Sequence, residues 1–305
     1  MIDIIIPTYN ARNTIRKTLD SIKIQDYKDF KVTIVRDTGD LYDDIVDDYK
    51  DFFKVSILNL EVNGGPGVAR QYGIDNTYGE YIVFIDSDDY LYNEHSLGLL
   101  LNNIGTADLC VGEFIYERDN EVLVKKENFI WLHGKIYRRR FLIDNNIRFN
   151  NTRANEDNGF NRLLLFHRPK IKILNEIVYV YAENENSITR KNNRFYKYSG
   201  LEWYAYNMYY AMRIAIEKNL NIQDVFNASL GVLVAMYFYY LELQDDYDVN
   251  ALLNWSSNIK NVYKTYYDKY GSSRLVQSFL EQKKSEYFSK KIKYTISFDE
   301  FLEKI

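Results

Sequence analysis

Over the first 90 residues, short apolar runs alternate with stretches of helical period, and this alternation restricts the fold more than any other feature. Residues 2–7 form a nearly continuous apolar run. Residues 10–24 follow with Ile15, Leu19 and Ile22, spaced by four and three, which predicts a helix with one buried face. Residues 30–35 and 55–60 read as the next two strands, and an acidic segment with Leu41, Ile45 and Val46 reads as the helix between them. Residues 67–76 read as a third helix and residues 81–85 as a fourth strand. A strand–helix–strand–helix order of this kind predicts a mostly parallel sheet covered on both faces. Its short crossovers are right-handed almost without exception.

Beyond residue 95 the pattern loosens. Residues 97–104 suggest a short helix, and residues 108–116 and 121–124 suggest strands that could form a hairpin through Asp119–Asn120. Residues 135–145 are basic and amphipathic, residues 158–166 are helical, and residues 171–181 give one or two strands that end the sheet region. After about residue 195 the period stays helical. The expected division is therefore a sheet domain over residues 1–195 and a helical domain over residues 196–305. Residues 230–241, LGVLVAMYFYYL, are almost wholly apolar. Twelve residues fall short of the roughly 20 that span a bilayer, so a buried helix is expected and no transmembrane segment.

Composition narrows the function. The 305 residues carry 39 basic against 43 acidic side chains, a net charge of −4 that argues against a broad nucleic-acid-binding surface. One cysteine, Cys110, excludes an intrachain disulfide framework and a cysteine-rich zinc or iron–sulfur site. His95, His133 and His167 are too scattered for a zinc enzyme's paired-histidine helix. An acidic residue at position 3 and Pro7 soon after make the opening segment a strand rather than a signal peptide, and a reducing, cytoplasmic setting is expected.

Four constellations could carry chemistry. Tyr81-Ile-Val-Phe-Ile-Asp86-Ser87-Asp88-Asp89 runs an apolar strand straight into three carboxylates. Clustered carboxylates repel one another, and a hard divalent cation such as Mg²⁺ or Mn²⁺ would remove that cost. A plain acidic turn fits the pattern as well. Asn63-Gly-Gly65-Pro-Gly-Val-Ala-Arg70-Gln71 joins a glycine turn to a helix whose N–H groups could face an anion. It is neither a Walker A sequence nor the dinucleotide fingerprint, and a tight turn would explain it equally. Arg153-Ala-Asn-Glu156-Asp157-Asn158 offers a general base at the mouth of the sheet, or simply helix capping. The basic run Lys135-Ile-Tyr137-Arg138-Arg139-Arg140 could pair with phosphates or be a solvated helix face.

Taken in order, these motifs resemble the large glycosyltransferase family 2, which has the GT-A fold. The opening Ile4-Ile-Ile-Pro7-Thr8-Tyr9-Asn10 is similar to that family's first strand and nucleotide-facing loop, and Ser21-Ile22 with Gln25-Asp26-Tyr27 to the end of its first helix. The glycine segment with Ala69-Arg70 and Gly73-Ile74 and the acidic segment from Gly79 to Asp89 match closely. So do Lys135-x-Tyr137-Arg138-Arg139, Glu156-Asp157, and Tyr179-x-Tyr181 followed by Asn186-Ser187-Ile188-Thr189. The resemblance covers about residues 1–190. It implies a Rossmann-like, mostly parallel sheet with flanking helices, followed here by a C-terminal helical extension.

Carried over residue by residue, the resemblance implies that Pro7, Thr8 and Tyr9 line the base and ribose of a nucleotide sugar. The family usually has two carboxylates after its second strand; here Asp37 keeps the one facing a uracil ring, and Arg36 stands in place of the other. Asn63, Gly65 and Arg70 would shape the pocket beside the donor. Asp86-Ser87-Asp88 is the family's DxD motif, with Asp86 and Ser87 on the donor and Asp88 and Asp89 at the metal. Asp157 would be the catalytic base. The implied reaction is an inverting single displacement, assisted by Mn²⁺ or Mg²⁺, moving a sugar from a UDP-linked donor to a hydroxyl of a glycan or lipid-linked glycan. A nucleotide-sugar-binding module without catalysis, partnering an active transferase, is the competing reading and draws on Arg36. A dehydrogenase on the same kind of sheet lacks the glycine fingerprint.

The 29 tyrosines and 17 phenylalanines leave a question in the helical part. They could line an acceptor groove, although aromatic residues at helical spacing more often pack. Exposed aromatic faces would suit a homodimer, and a lipid-linked acceptor would draw the protein to the inner face of the membrane.

Overall fold

The structure is a computed structural model and describes residues 1–118, 121–184, 194–242, 249–286 and 292–305. The chain forms two compact units, Met1–Arg190 and Lys191–Ile305. The hairpin turn expected at Asp119–Asn120 and the segment Asn186–Thr189 lie outside the described residues.

The first unit opens as its sequence pattern dictates. Strands β1 (Ile2–Thr8), β2 (Phe30–Arg36), β3 (Lys54–Asn59) and β4 (Tyr81–Phe84) are linked by helices α1 (Ile15–Lys23), α2 (Asp43–Asp47) and α3 (Pro66–Asp75). All four strands are parallel, in the order β3-β2-β1-β4. Every residue of β1 is buried, as a central strand covered on both faces requires. Helix α1 buries Ile15, Leu19 and Ile22. On α3, a Cβ added at Gly73 would stand 2.5 Å from Ile5 Cγ2, so the helix lies closer to β1 than any side chain would permit.

Past β4 the sheet becomes mixed. The remaining elements of the unit are β5 (Tyr90–Leu91), α4 (Ser96–Ile104), β6 (Leu109–Arg118), β7 (Glu121–Lys125), β8 (Lys135–Arg138), α5 (Arg139–Asp144), α6 (Glu156–Phe166) and β9 (Ile171–Tyr181). The order continues β4-β8-β6-β9-β5, with β7 paired to β6. Strand β8 is antiparallel to both β4 and β6, whereas β6 and β9 are parallel, with register shifts around Glu113. Residues 171–181 are therefore one continuous strand.

Most of the basic run at 135–140 is not a solvated helix face, and only Arg140, on the following helix, is exposed. The run begins as β8, where Lys135 and Tyr137 are fully buried, and turns into α5 only at Arg139. Arg138 donates to the Gly105 and Ala107 carbonyls and pairs with Glu80. Arg139 donates to the carbonyls of Gly79 and Ile74 and pairs with Asp3 at 2.8 Å. Asp3, on β1, is 1% exposed and also accepts the Gly79 N–H. These guanidiniums splice chain segments together. Replacing Arg139 with Met strands the Asp3 carboxylate in the core and should cost about 3 kcal/mol of folding stability. Urea denaturation would measure this, and an unchanged midpoint would contradict the account.

The described elements of the second unit are all helices, α7 (Arg194–Glu217), α8 (Ile222–Glu242), α9 (Val249–Tyr270), α10 (Ser273–Glu286) and α11 (Phe298–Lys304). The apolar run at 230–241 lies within α8, whose 21 residues are long and apolar enough to cross a membrane. Thirteen of them, including Phe226, Leu233 and Phe238, are nevertheless buried within the protein. Several tyrosines serve packing here. Tyr263 stacks on Phe226 at 5.6 Å, and the buried Tyr237 donates its hydroxyl to the Ile296 carbonyl at 2.7 Å. A capping box between Ser297 and Glu300 starts α11.

Candidate active site

The carboxyl ends of the parallel strands present the candidate residues on one edge, where ligands gather in open α/β sheets. Strand β1 ends at Thr8, β2 runs into Asp37, and β4 runs into Asp86. Pro7 and Thr8 are buried, and the Thr8 hydroxyl donates to the Val35 carbonyl at 3.3 Å. Of the three residues expected at the base and ribose, only Tyr9 offers an open face, at 56% exposure.

Asp37, expected to face the base, is engaged by the glycine loop. It is 4% exposed, and its two carboxylate oxygens accept the N–H groups of Gly64 and Gly65, each at 2.7 Å. It braces the glycine loop because that loop turns back on itself with Gly65 at a φ of 86°, leaving both N–H groups without a helical partner. Asn63 donates to the Asp37 carbonyl at 3.1 Å and receives the Arg153 guanidinium on its side-chain oxygen. Arg36 spends its guanidinium on the carbonyls of Gly39 and Asp40, closing its own turn.

The acidic segment forms a turn between β4 and β5, with the Asp89 N–H on the Asp86 carbonyl at 3.0 Å. Asp89, expected at the metal, is fully buried. One of its oxygens accepts the Tyr179 hydroxyl at 2.7 Å and the other the Ala182 N–H at 2.9 Å. Burial, then the neighbouring Asp88 and Asp86 charges, push its carboxyl well above the usual range. Asp88 and Ser87 are half-buried, and Asp88 accepts the Asn184 side-chain amide at 2.7 Å. His133 stacks on Tyr181 at 4.6 Å and sets Nδ1 3.6 Å from Asp89, and burial pulls it down to about 4. Donor atoms of Asp86, Asp89 and His133 lie within 4.8 Å of one another.

Arg70 joins the motifs. It stands one turn into α3, 5% exposed, with one guanidinium nitrogen on Asp86 at 2.5 Å and the other on Glu156. Glu156 and Asp157 open α6 after Asn155, whose φ of 59° swings the chain into the helix. Burial and then the Glu156 charge raise Asp157 to about 7, against the pull of Arg70. One turn further along α6, Asn161 accepts the Tyr137 hydroxyl at 3.0 Å. Lys135, two residues before Tyr137 on the same face of β8, donates to the Trp131 carbonyl, and burial lowers it to about 7 against the attraction of Asp157. The base candidate thus feels the charges of both Arg70 and the buried Lys135.

The candidates brought together are Arg70, Asp86, Asp88 and Asp157. Sequence reasoning missed the bracing roles of Tyr179, Arg153 and His133. For Tyr179 the signal was present in the Tyr179-x-Tyr181 pair; a lone histidine such as His133 gave none.

This strand order, with an acidic turn at the end of β4 and flanking helices, defines a GT-A fold. Two solved structures share it. Residues 1–349 of TarS from Staphylococcus aureus, in complex with UDP-GlcNAc, match with a TM-score of 0.72 and 19% identity, over 97% of this chain and 93% of that one. The mannosyltransferase PcManGT from Pyrobaculum calidifontis, in complex with GDP-Man and Mn²⁺, matches with a TM-score of 0.56 and 14% identity, over 99% and 83%. The family model for Glycosyl transferase family 2 matches residues 3–155, half of the chain, and the chain belongs to that family. A relative, the poly(ribitol-phosphate) β-N-acetylglucosaminyltransferase TarS of S. aureus strain Mu50, is 31% identical over 199 residues. These are 59% of this chain but 35% of the relative, so the chain spans about a third of that protein's length.

Proposed function

We propose that the protein transfers a sugar, with inversion, from a UDP-linked donor to a hydroxyl of a glycan or polyol-phosphate acceptor. One observation carries this reading: Arg70 links Asp86 of the donor motif to Glu156, the immediate neighbour of the base candidate. Donor recognition and proton removal would then share one centre. In this reading the open ring of Tyr9 stacks on the base, while Asp37, Asn63 and Arg153 hold the glycine loop in shape beside it. Asp157 takes the proton of the attacking hydroxyl, and the oxygen forms its bond to the anomeric carbon as the nucleoside diphosphate leaves from the opposite face. A carboxyl raised to about 7 suits this task, since it binds a proton readily yet is free of one for much of the time near neutrality. The donor complexes of the two structural neighbours and the polymer named for the TarS relative support the substrate classes.

The acidic turn fits a hard divalent cation. Three carboxylates stand within four residues, and burial followed by the neighbouring Asp88 and Asp86 charges raises Asp89. Asp88 would be the principal ligand, its carboxylate being only half-buried, with the donor atoms of Asp86, Asp89 and His133 close by. Bound there, Mn²⁺ or Mg²⁺ would neutralise charge building up on the leaving diphosphate. Incubation with UDP-sugars and Mn²⁺ is expected to release UDP, and EDTA to lower the rate by at least about a hundredfold, in line with the several kcal/mol such an ion supplies. The same rate with and without EDTA would remove the metal from the scheme. No release from any nucleotide sugar would favour a binding module over an enzyme.

A further inference from the structure

We propose that β7 is a self-pairing edge through which two copies of this chain associate. The inference is independent of the proposed function. Among the described residues β7 pairs with β6 alone, and no described strand lies on its second edge. Its side chains are unusual for an edge. Val122, Leu123 and Val124 are 65%, 43% and 44% exposed, so both faces of the strand show apolar groups to solvent. Natural sheet edges usually carry charges or proline at such positions, because a bare apolar edge recruits another strand. Here the charges stand at the two ends instead. The strand reads Glu121-Val122-Leu123-Val124-Lys125.

That sequence is complementary to itself. In an antiparallel pair with a two-fold axis at Leu123, Glu121 of each copy faces Lys125 of the other, Val122 faces Val124, and Leu123 meets Leu123. Opposite charges directly across a strand pair stabilise it and like charges oppose it, so the ends fix this register and disfavour a slipped one. A five-residue ribbon is smaller than a standard stable interface, and the association is accordingly reversible, half-complete at about 100 µM chain.

Sedimentation equilibrium of the full chain tests this, using the wild type, E121K, K125E and the E121K/K125E double variant. Each single exchange puts like charges at both ends of the ribbon and is expected to weaken association at least about tenfold. The double variant restores opposite charges and should return to within about threefold of the wild type. V122T/V124T, which keeps strand-forming residues while removing apolar surface, should also stay monomeric. A wild type that remains monomeric to about 500 µM would overturn the proposal, as would single variants that associate normally or a double variant without recovery. Flotation of a monomeric wild type with phosphatidylcholine vesicles, lost in V122T/V124T, would make the face a membrane contact and overturn it too.

Discussion

Replacing Asp157 with Asn should lower donor turnover by about 10³-fold while leaving donor affinity within about threefold. Asparagine keeps the side-chain oxygen that accepts the Asn158 N–H at 2.8 Å, so the start of α6 should hold its shape. What disappears is the lone pair that takes the acceptor's proton. The wild type should show the matching pH dependence. The base is active when deprotonated, and burial has raised its carboxyl to about 7. Turnover at saturating substrate should be full above that pH and fall tenfold per unit below it, with no such limb in Asp157→Asn. An acid limb near 4 would mean that the donor complex restores an ordinary carboxylate. An undiminished rate in the variant would assign the base elsewhere.

The second large effect falls on Arg70. Its side chain is 6% exposed and pairs with Asp86 and Glu156, themselves 28% and 8% exposed. Substitution by Met keeps the bulk and removes the cation, leaving two carboxylates facing each other across the space it filled. Breaking a buried pair typically costs about 3–5 kcal/mol, and here two contacts go at once. The sign of the pH dependence follows from Asp86. Burial works against its ionised form, but Arg70 and then His133 outweigh it and lower the carboxyl. That stabilisation is present above the unfolded-state value near 4 and is lost as the pH falls through the lower, folded value. Without Arg70 the preference reverses, so the stability gap should be widest at neutral pH and narrow on acidification. Urea midpoints at pH 7 and pH 4.5 would check this. A gap of equal size at both would show that Arg70 acts by packing rather than charge. Turnover should fall with stability, and what remains should need a higher pH, because Asp157 loses a neighbouring cation.

The parallel half of the sheet was legible because β1, β2 and β4 are largely buried and therefore written as apolar runs, while β3 at the sheet edge is only half-buried. The second half was harder. Lys135 to Arg138 looks like a charged surface segment, yet it forms an interior strand whose cations are satisfied by carbonyls and by Glu80. Periodicity cannot reveal a partner supplied by a distant loop. Strand β5, two residues long, is below what any pattern resolves. At the site, the motifs pointed to the right neighbourhood but not to each residue's work. Three acidic positions within four residues look alike in sequence; only the fold turns Asp89 inward to Tyr179 and leaves Asp88 at the half-open turn. Nothing in the sequence around Asp37 likewise shows that its oxygens hold Gly64 and Gly65.

Gly73 has no polar group and no place in the chemistry, but it sets a length that the chemistry needs. It sits three residues after Arg70 on α3, nearly one full turn along the helix, where the helix backbone comes down onto Ile5. A methyl group there would act as a shim under the helix, tilting it away from the sheet and carrying the guanidinium with it. Hydrogen bonds lose strength steeply within a few tenths of an ångström, so a thin shim would suffice to break the bridge between Asp86 and Glu156. A position that no ligand would touch therefore constrains this centre, and a search for altered transferases that varied only pocket-lining residues would pass over it.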